Sequence, residues 1–148
     1  MPTYTVRTAN LSLDDNQRQR IASAITETHS DSTGAPGYFA QIFFDAAPPA
    51  AHFIGGRPNS IPHIYVHGLI RAGRSAEQKC RLLEGIRGRI HDIAGVGAED
   101  IWVYVQEIAA EQMVEFGRIL PEPGRETEWR QGFSPEKIEA FRHAGVTV

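Results

Sequence analysis

Polar and apolar positions alternate along PTYTVRT, with Tyr4 and Val6 set between Thr3, Thr5 and Arg7. A period of two is that of a strand with one buried face. Beyond it the period lengthens: Ile21, Ala24, Ile25 and Thr28 return every three or four residues, and Asp14 and Asp15 stand at the start. That spacing predicts a helix with its acids at the positive end. STGAPG breaks the pattern. YFAQIFF, aromatic and branched, predicts a second strand, and AAPPAAHFIGG a turn with a short returning strand.

The same succession then recurs. IPHIYVHGLIR predicts a strand, SAEQKCRLLEGIRGRIHDIAG a helix with Leu83, Ile86, Ile90 and Ile93 on its apolar face, and EDIWVYVQEI another strand. Gln17, Arg20 and Ile21 of the first helix correspond to Gln78, Arg81 and Leu82 of the second. The expectation is one domain over residues 1–148. It would hold two β-α-β pseudo-repeats, at about 2–60 and about 61–120, and a C-terminal tail. Right-handed crossovers would place both helices on one face of a four-stranded, mainly parallel sheet, an α/β (α+β) fold. In the tail PEPGRETEWRQGF reads as loop, Ser134 and Pro135 open a short helix, and Gly145 ends it. A sheet covered on one face needs something against the other, so an oligomer is expected.

Composition narrows the class. With 148 residues, 41% hydrophobic and 22% charged, the chain can close a core of its own. A formal charge of −3 without clustered Lys and Arg excludes a nucleic-acid surface. No apolar run approaches a bilayer span and no export leader is seen, so a soluble, cytoplasmic protein is expected. The one cysteine, Cys80, has no disulfide partner in the chain and offers no metal spacing.

Candidate chemistry gathers at a few positions. Ser75 and Gln78 form a capping box at the head of the second helix, with Arg71 and Arg74 just before it. A helix N-terminus with two guanidiniums suits a carboxylate or phosphate. The plainer reading, arginines paired with acidic neighbours or turned to solvent, stands level with it. His29, four residues after Ile25, reads as completing an apolar face near the negative end of its helix. His63 and His67 share a strand face, but two histidines without a third ligand read as structural. His52, His91 and His143 offer nothing specific. Tyr104 lies with Trp102 and Gln106 on one side of its strand, as a core or interface tyrosine commonly does. Glu115 is either an exposed loop acid or a partly buried base. Pro2 matters only if Met1 is removed, which turns its nitrogen into a secondary amine.

In combination these positions resemble the tautomerase superfamily, whose members carry an amino-terminal proline on doubled or dimeric β-α-β units. Within it the chain looks most like the cis-3-chloroacrylic acid dehalogenase family. The stretches that carry the resemblance are MPTY, ITETH, HGLIRAGRSAEQK, IWVY and MVEFGRILPEPGRETEW, and it covers essentially the whole chain. It implies Pro2 as the catalytic proline, His29, Arg71 and Arg74 as substrate-binding residues, and Tyr104 with Glu115 as the water-activating pair. It also implies a homotrimer with a site around each Pro2, and no cofactor or metal. Three residues depart from the family pattern: Ala35 and Phe39 in the segment STGAPGYF, and Phe116 after Glu115, where a tyrosine is common. They bear on pocket shape, and so on substrate size and preference.

The protonation of Pro2 divides the functional readings. An α-amino group starts at pKa ~7.7–8.0, and a secondary amine tends to lie higher. Burial and two arginines would lower it toward a neutral base, whereas a close Glu115 would raise it and keep an acid. The acid suits addition of water to a 3-haloacrylate or another small unsaturated carboxylate. The base suits enol–keto tautomerisation of a 2-oxo acid. Tyr104 and Glu115 favour hydration, because a simple tautomerase needs no water activator. A third reading is a trimeric binding protein with an unused site, as relatives such as macrophage migration inhibitory factor exemplify. Retention of all six matched residues argues against it.

Overall fold

The computed structural model describes residues 2–148. Strand β1 (Thr3–Ala9) buries Tyr4 and Val6, as the alternation predicts. Helix α1 (Asp15–Thr33) opens on a capping box between Asp14 and Gln17. It closes at Gly34, whose φ of 74° is the left-handed conformation a C-cap needs. Strand β2 (Gln41–Ala46) starts later than YFAQIFF suggested, because Gly37–Phe39 forms a 3₁₀ turn that buries Tyr38 and Phe39. A small hairpin, β3 (Phe53–Ile54) with β4 (Arg57–Pro58), leads to the long strand β5 (His63–Arg71). Helix α2 (Ala76–Ala94) repeats the first, with Ser75 and Gln78 as its capping box and Gly95 at its end. Strand β6 (Ile101–Ile108) completes the second unit.

The strands lie in the order β2-β1-β5-β6. β1 runs parallel to β2 and β5 parallel to β6, and the two units meet through the antiparallel pair β1–β5. Each helix is the crossover of its own parallel pair. α1 and α2 therefore lie side by side on one face, as expected from the sequence. Between helices and sheet, Tyr4, Val6, Ile64, Val66, Ile70 and Ile101 pack against Ile21, Ile25, Leu82, Ile86 and Ile90. Leu83, expected on the apolar face of α2, is only half-buried; Leu82 takes that place because it continues the four-residue stripe of Ile86 and Ile90.

The tail corrects one expectation. After the hairpin β7 (Val114–Glu115) with β8 (Arg118–Ile119), the stretch read as loop contains helix α3 (Glu126–Arg130), followed by α4 (Pro135–His143) with Ser134 as N-cap. Trp129 of α3 enters a second apolar cluster with Ala35, Tyr38, Phe39, Ala110, Leu120 and Phe133. That burial holds a helix too short to be stable alone. The sheet face away from the helices exposes Phe43, Trp102 and Tyr104. Among the described residues no helix is long and apolar enough to cross a membrane.

Candidate functional site

Arg71 ends β5 and Arg74 precedes the N-cap of α2, so strand and capping box together fix the pair at one corner of the sheet. Arg71 is only 2% exposed. Its Nη1 donates to the Pro121 carbonyl at 2.5 Å and its Nη2 to Glu126 on α3, while its buried Nε has no partner. The buried Nε of Arg74 is unpartnered too. Burial, then the neighbouring Arg71, pushes the Arg74 guanidinium below its ordinary pKa, though nearby Glu126 and Glu107 oppose this. An arginine remains charged under such shifts. Glu107 accepts the Arg74 backbone N–H at 3.2 Å and a bond from Lys79 Nζ at 2.7 Å, so its charge is largely answered by Lys79. Burial works against ionising Glu126, but the bond from Arg71 and backbone donors hold its carboxyl below the usual range.

His29 faces this corner from α1 and is 4% exposed. Burial, followed by the charges of Arg74 and Arg71, lowers its pKa to about 3. The imidazole is therefore neutral near pH 7, whereas its place toward the negative end of the helix alone would favour the cation. Tyr4 Oη lies 2.8 Å from His29 Nδ1, and burial raises the Tyr4 pKa well above its ordinary value. With the Tyr4 hydroxyl donating to Nδ1, the histidine carries its hydrogen on Nε2 and can present it to an anionic oxygen. Two cationic donors with unmatched N–H groups beside a neutral imidazole make a corner whose chemistry suits an anion.

Pro2 is buried at the head of β1, and its carbonyl accepts the Gln41 N–H at 3.0 Å. Removal of Met1, which a free Pro2 nitrogen requires, lies outside the described residues. Thr3 and Gln41, next along these two strands, line a groove of about 1370 Å³. Glu115 of β7 lies in the same groove, together with Tyr38, Phe39 and Phe116. Ala35, Phe39 and Phe116, the departures noted in the sequence, thus fall in or beside one aromatic wall. Phe39 and Phe116 stand 6.3 Å apart, and Trp129 backs them at 5.4 and 6.2 Å.

Tyr104 lies elsewhere. It is half-exposed on the helix-free face, opposite His67 in the β5–β6 register. With β5 between β6 and β1, it stands two strand spacings, roughly 10 Å, from the strand that bears Pro2. It lines a separate hollow of about 370 Å³ with Arg7, Tyr65, Trp102, His52 and His63. His63 stacks on His52 at 4.6 Å, and His91 Nδ1 lies 2.7 Å from the Val96 carbonyl, both structural arrangements. Among the described residues no three His, Cys, Asp or Glu side chains converge as a metal site.

Two contributors went unnoticed in the sequence. Tyr4 reads there as an ordinary core position of a strand, although it is the group that orients His29. Glu126 sits in a run of alternating charge that looks like a solvated surface. Only the tail helix, seated by Trp129, brings its carboxylate to Arg71.

Residues 1–132 match the family described as "Putative oxalocrotonate tautomerase enzyme". Among solved structures the chain is similar to the protein N1, a member of the cis-3-chloroacrylic acid dehalogenase family. The identity is 36% and the TM-score 0.87, over 95% of this chain and 99% of that one. A fused 4-OT asymmetric trimer shares the fold at 18% identity and a TM-score of 0.71, over 79% and 94% of the two chains. The macrophage migration inhibitory factor of Toxoplasma gondii does so at 13% identity and a TM-score of 0.65, over 78% and 97%. Among curated proteins none matches the chain.

Proposed function

Since the chain belongs to the tautomerase superfamily, within the cis-3-chloroacrylic acid dehalogenase family, we propose that it is a cofactor-independent enzyme. It adds water to a small unsaturated carboxylate, as in hydrolytic dehalogenation of a cis-3-haloacrylate, with Pro2 as general acid. The observation that carries this reading is the corner formed by buried Arg71 and half-buried Arg74 beside neutral His29. It offers donors to a carboxylate and has no other visible use for them.

The proposed reaction begins when Arg74, Arg71 and the Nε2–H of His29 hold the carboxylate and draw electron density from the double bond. Glu115 takes a proton from water, oriented by Tyr104, as the water oxygen bonds to C3. The C2–C3 π pair then takes a proton from the Pro2 ammonium at C2. The 3-halo-3-hydroxy acid that results loses hydrogen halide and becomes malonate semialdehyde. Because Tyr104 and Glu115 lie in different hollows of one protomer, Tyr104 must reach the groove from a second copy. A homotrimer joined through the open sheet face would provide this, and self-association is supported by a fused 4-OT of the same fold that is a trimer.

The separation of Tyr104 from Glu115 also favours the second reading. A tautomerase of 2-oxo acids would need only Pro2 as base and the cationic corner. Halide release from cis-3-chloroacrylate by protein with a free Pro2, confirmed by intact mass, distinguishes them. Hydration predicts turnover that falls by about 10²-fold or more in Pro2→Ala, the scale of a lost general acid. No halide above background, with phenylenolpyruvate still tautomerised, would leave the second reading. An active Pro2→Ala protein would overturn both.

A further inference from the structure

The hairpin that carries Glu115 turns through a residue ill-suited to its turn. Strands β7 and β8 pair Val114 with Ile119 and Glu115 with Arg118, which leaves Phe116 and Gly117 as a two-residue turn. Their φ values are 51° and 77°. A hairpin turn with both central residues at positive φ favours Asn followed by Gly, and a bulky side chain in the first place is strained. Strain of this kind persists only where the surroundings hold the residue. The strands do not supply that hold, since two residues each make a hairpin that is marginal alone. Their apolar side chains do not supply it either, because Val114 and Ile119 are exposed.

The ring of Phe116 does. Phe133 and Phe141 meet it edge-on at 5.3 and 5.5 Å, and Trp129 and Phe39 close the cluster around it. Lys137 of α4 stands 5.1 Å from the same ring as a cation–π partner. The second strand is tied to the tail separately. Arg118 Nη1 donates to the Trp129 carbonyl at 2.6 Å, and Trp129 Nε1 donates to the Ile119 carbonyl at 2.8 Å. Glu115, half-buried and in the groove, is the residue joined directly to Phe116.

We infer that Phe116 is a positioning residue: its ring, docked on the C-terminal tail, holds the strained turn and so fixes where the Glu115 carboxylate enters the groove. This rests on the role of Glu115 proposed above and makes the tail, through Phe116, part of the device that aims it. A base acts on water only within hydrogen-bond reach, so a small drift of the hairpin tip is enough to disable it. His29 stands on α1 and Arg74 before α2, so the tip can shift without dislodging them.

The test measures halide release from cis-3-chloroacrylate and tautomerisation of phenylenolpyruvate in wild type, Phe116→Asn and Phe116→Tyr. Each protein has a free Pro2 confirmed by intact mass. Asn suits the turn but removes the ring; Tyr keeps the ring. In Phe116→Asn kcat for halide release should fall by about tenfold to 10²-fold, the scale of an ångström's misplacement, with KM little changed. Tautomerisation should fall much less. In Phe116→Tyr halide release should return toward the wild-type rate. A residue that merely stabilised the fold would lower both activities together, and one that touched substrate would raise KM. Either result, or an unchanged kcat in Phe116→Asn, would remove Phe116 from this role while the hydration reading stands. A lower sedimentation mass in Phe116→Asn would do so too, by assigning the loss to the assembly. If Phe116→Asn does not fold, Phe133→Leu, behind the ring and outside the groove lining, decides on the same readouts. No halide from the wild type would overturn the hydration reading and this role with it.

Discussion

At the scale of single residues, the site is a matter of which charges are allowed. His29 titrates at about 3 in the fold, with burial as the main cause and Arg74 and Arg71 adding to it, against an ordinary value of about 6.5. Between those values the unfolded chain takes up a proton that the fold refuses, so stability from this group falls as pH drops below 6.5. Above 6.5 it is constant. His29→Gln keeps an acceptor for Tyr4 and abolishes the titration. The stability difference between wild type and variant in urea should be flat above pH 6.5. Below it the difference should shrink, with a slope approaching 1.4 kcal/mol per pH unit at most, about the value of one proton. Parallel curves down to pH 4 would mean that the folded histidine is protonated. The sequence drew attention to Arg71 and Arg74 by their spacing before a capping box, which is a local signal, and to His29 only through the family resemblance. Their state was illegible there, because it depends on burial and on Tyr4 and Glu126, which come from other parts of the chain.

At the scale of elements, local signals carried far and long-range packing carried the rest. Both long helices start at side-chain boxes that can be read in the sequence, Asp14 with Gln17 and Ser75 with Gln78. The tail helix could not be read that way, since its five residues lack a side-chain cap and owe their place to Trp129. Contact between α1 and α2 depends on another feature without periodicity, the glycine at position 85. A Cβ there would stand 2.7 Å from Thr28 Cγ2. Thr28 is buried and its hydroxyl donates to the Ala24 carbonyl at 2.7 Å, so it has little room to turn away. Gly85→Ala should therefore separate the helices and cost about 1–3 kcal/mol by overpacking. Gly88, one turn on, would place a Cβ with nothing within 4 Å. Gly88→Ala should instead stabilise by roughly 0.5–1 kcal/mol through helix propensity. Urea unfolding of the two variants gives the comparison, and equal responses would show that the helices do not touch at Gly85.

At the scale of the whole molecule, the proposed chemistry and the open sheet face bear on one another. Phe43, Thr5, His67 and Tyr104 fall on one register line across the helix-free face. Phe43 and Tyr104 at its two ends are 52% and 53% exposed. Aromatic residues left open across a sheet are suited to burial against another copy. If that contact delivers Tyr104 to a neighbour's groove, breaking it must remove hydration while each protomer stays folded. Phe43→Lys places a charge on the face without touching the arginine corner or the groove acid. It should lower the mass seen in sedimentation and leave the far-ultraviolet circular dichroism as in the wild type. Halide release should fall by about 10²-fold or more, the loss expected when a water-positioning group is withdrawn. Tautomerisation, which on the second reading would need only Pro2 and the cationic corner of one chain, should fall much less. Equal loss of both activities would mean that the assembly shapes the whole pocket rather than contributing Tyr104. A monomeric variant releasing halide at the wild-type rate would show that one chain suffices, and that Glu115 activates water without this tyrosine.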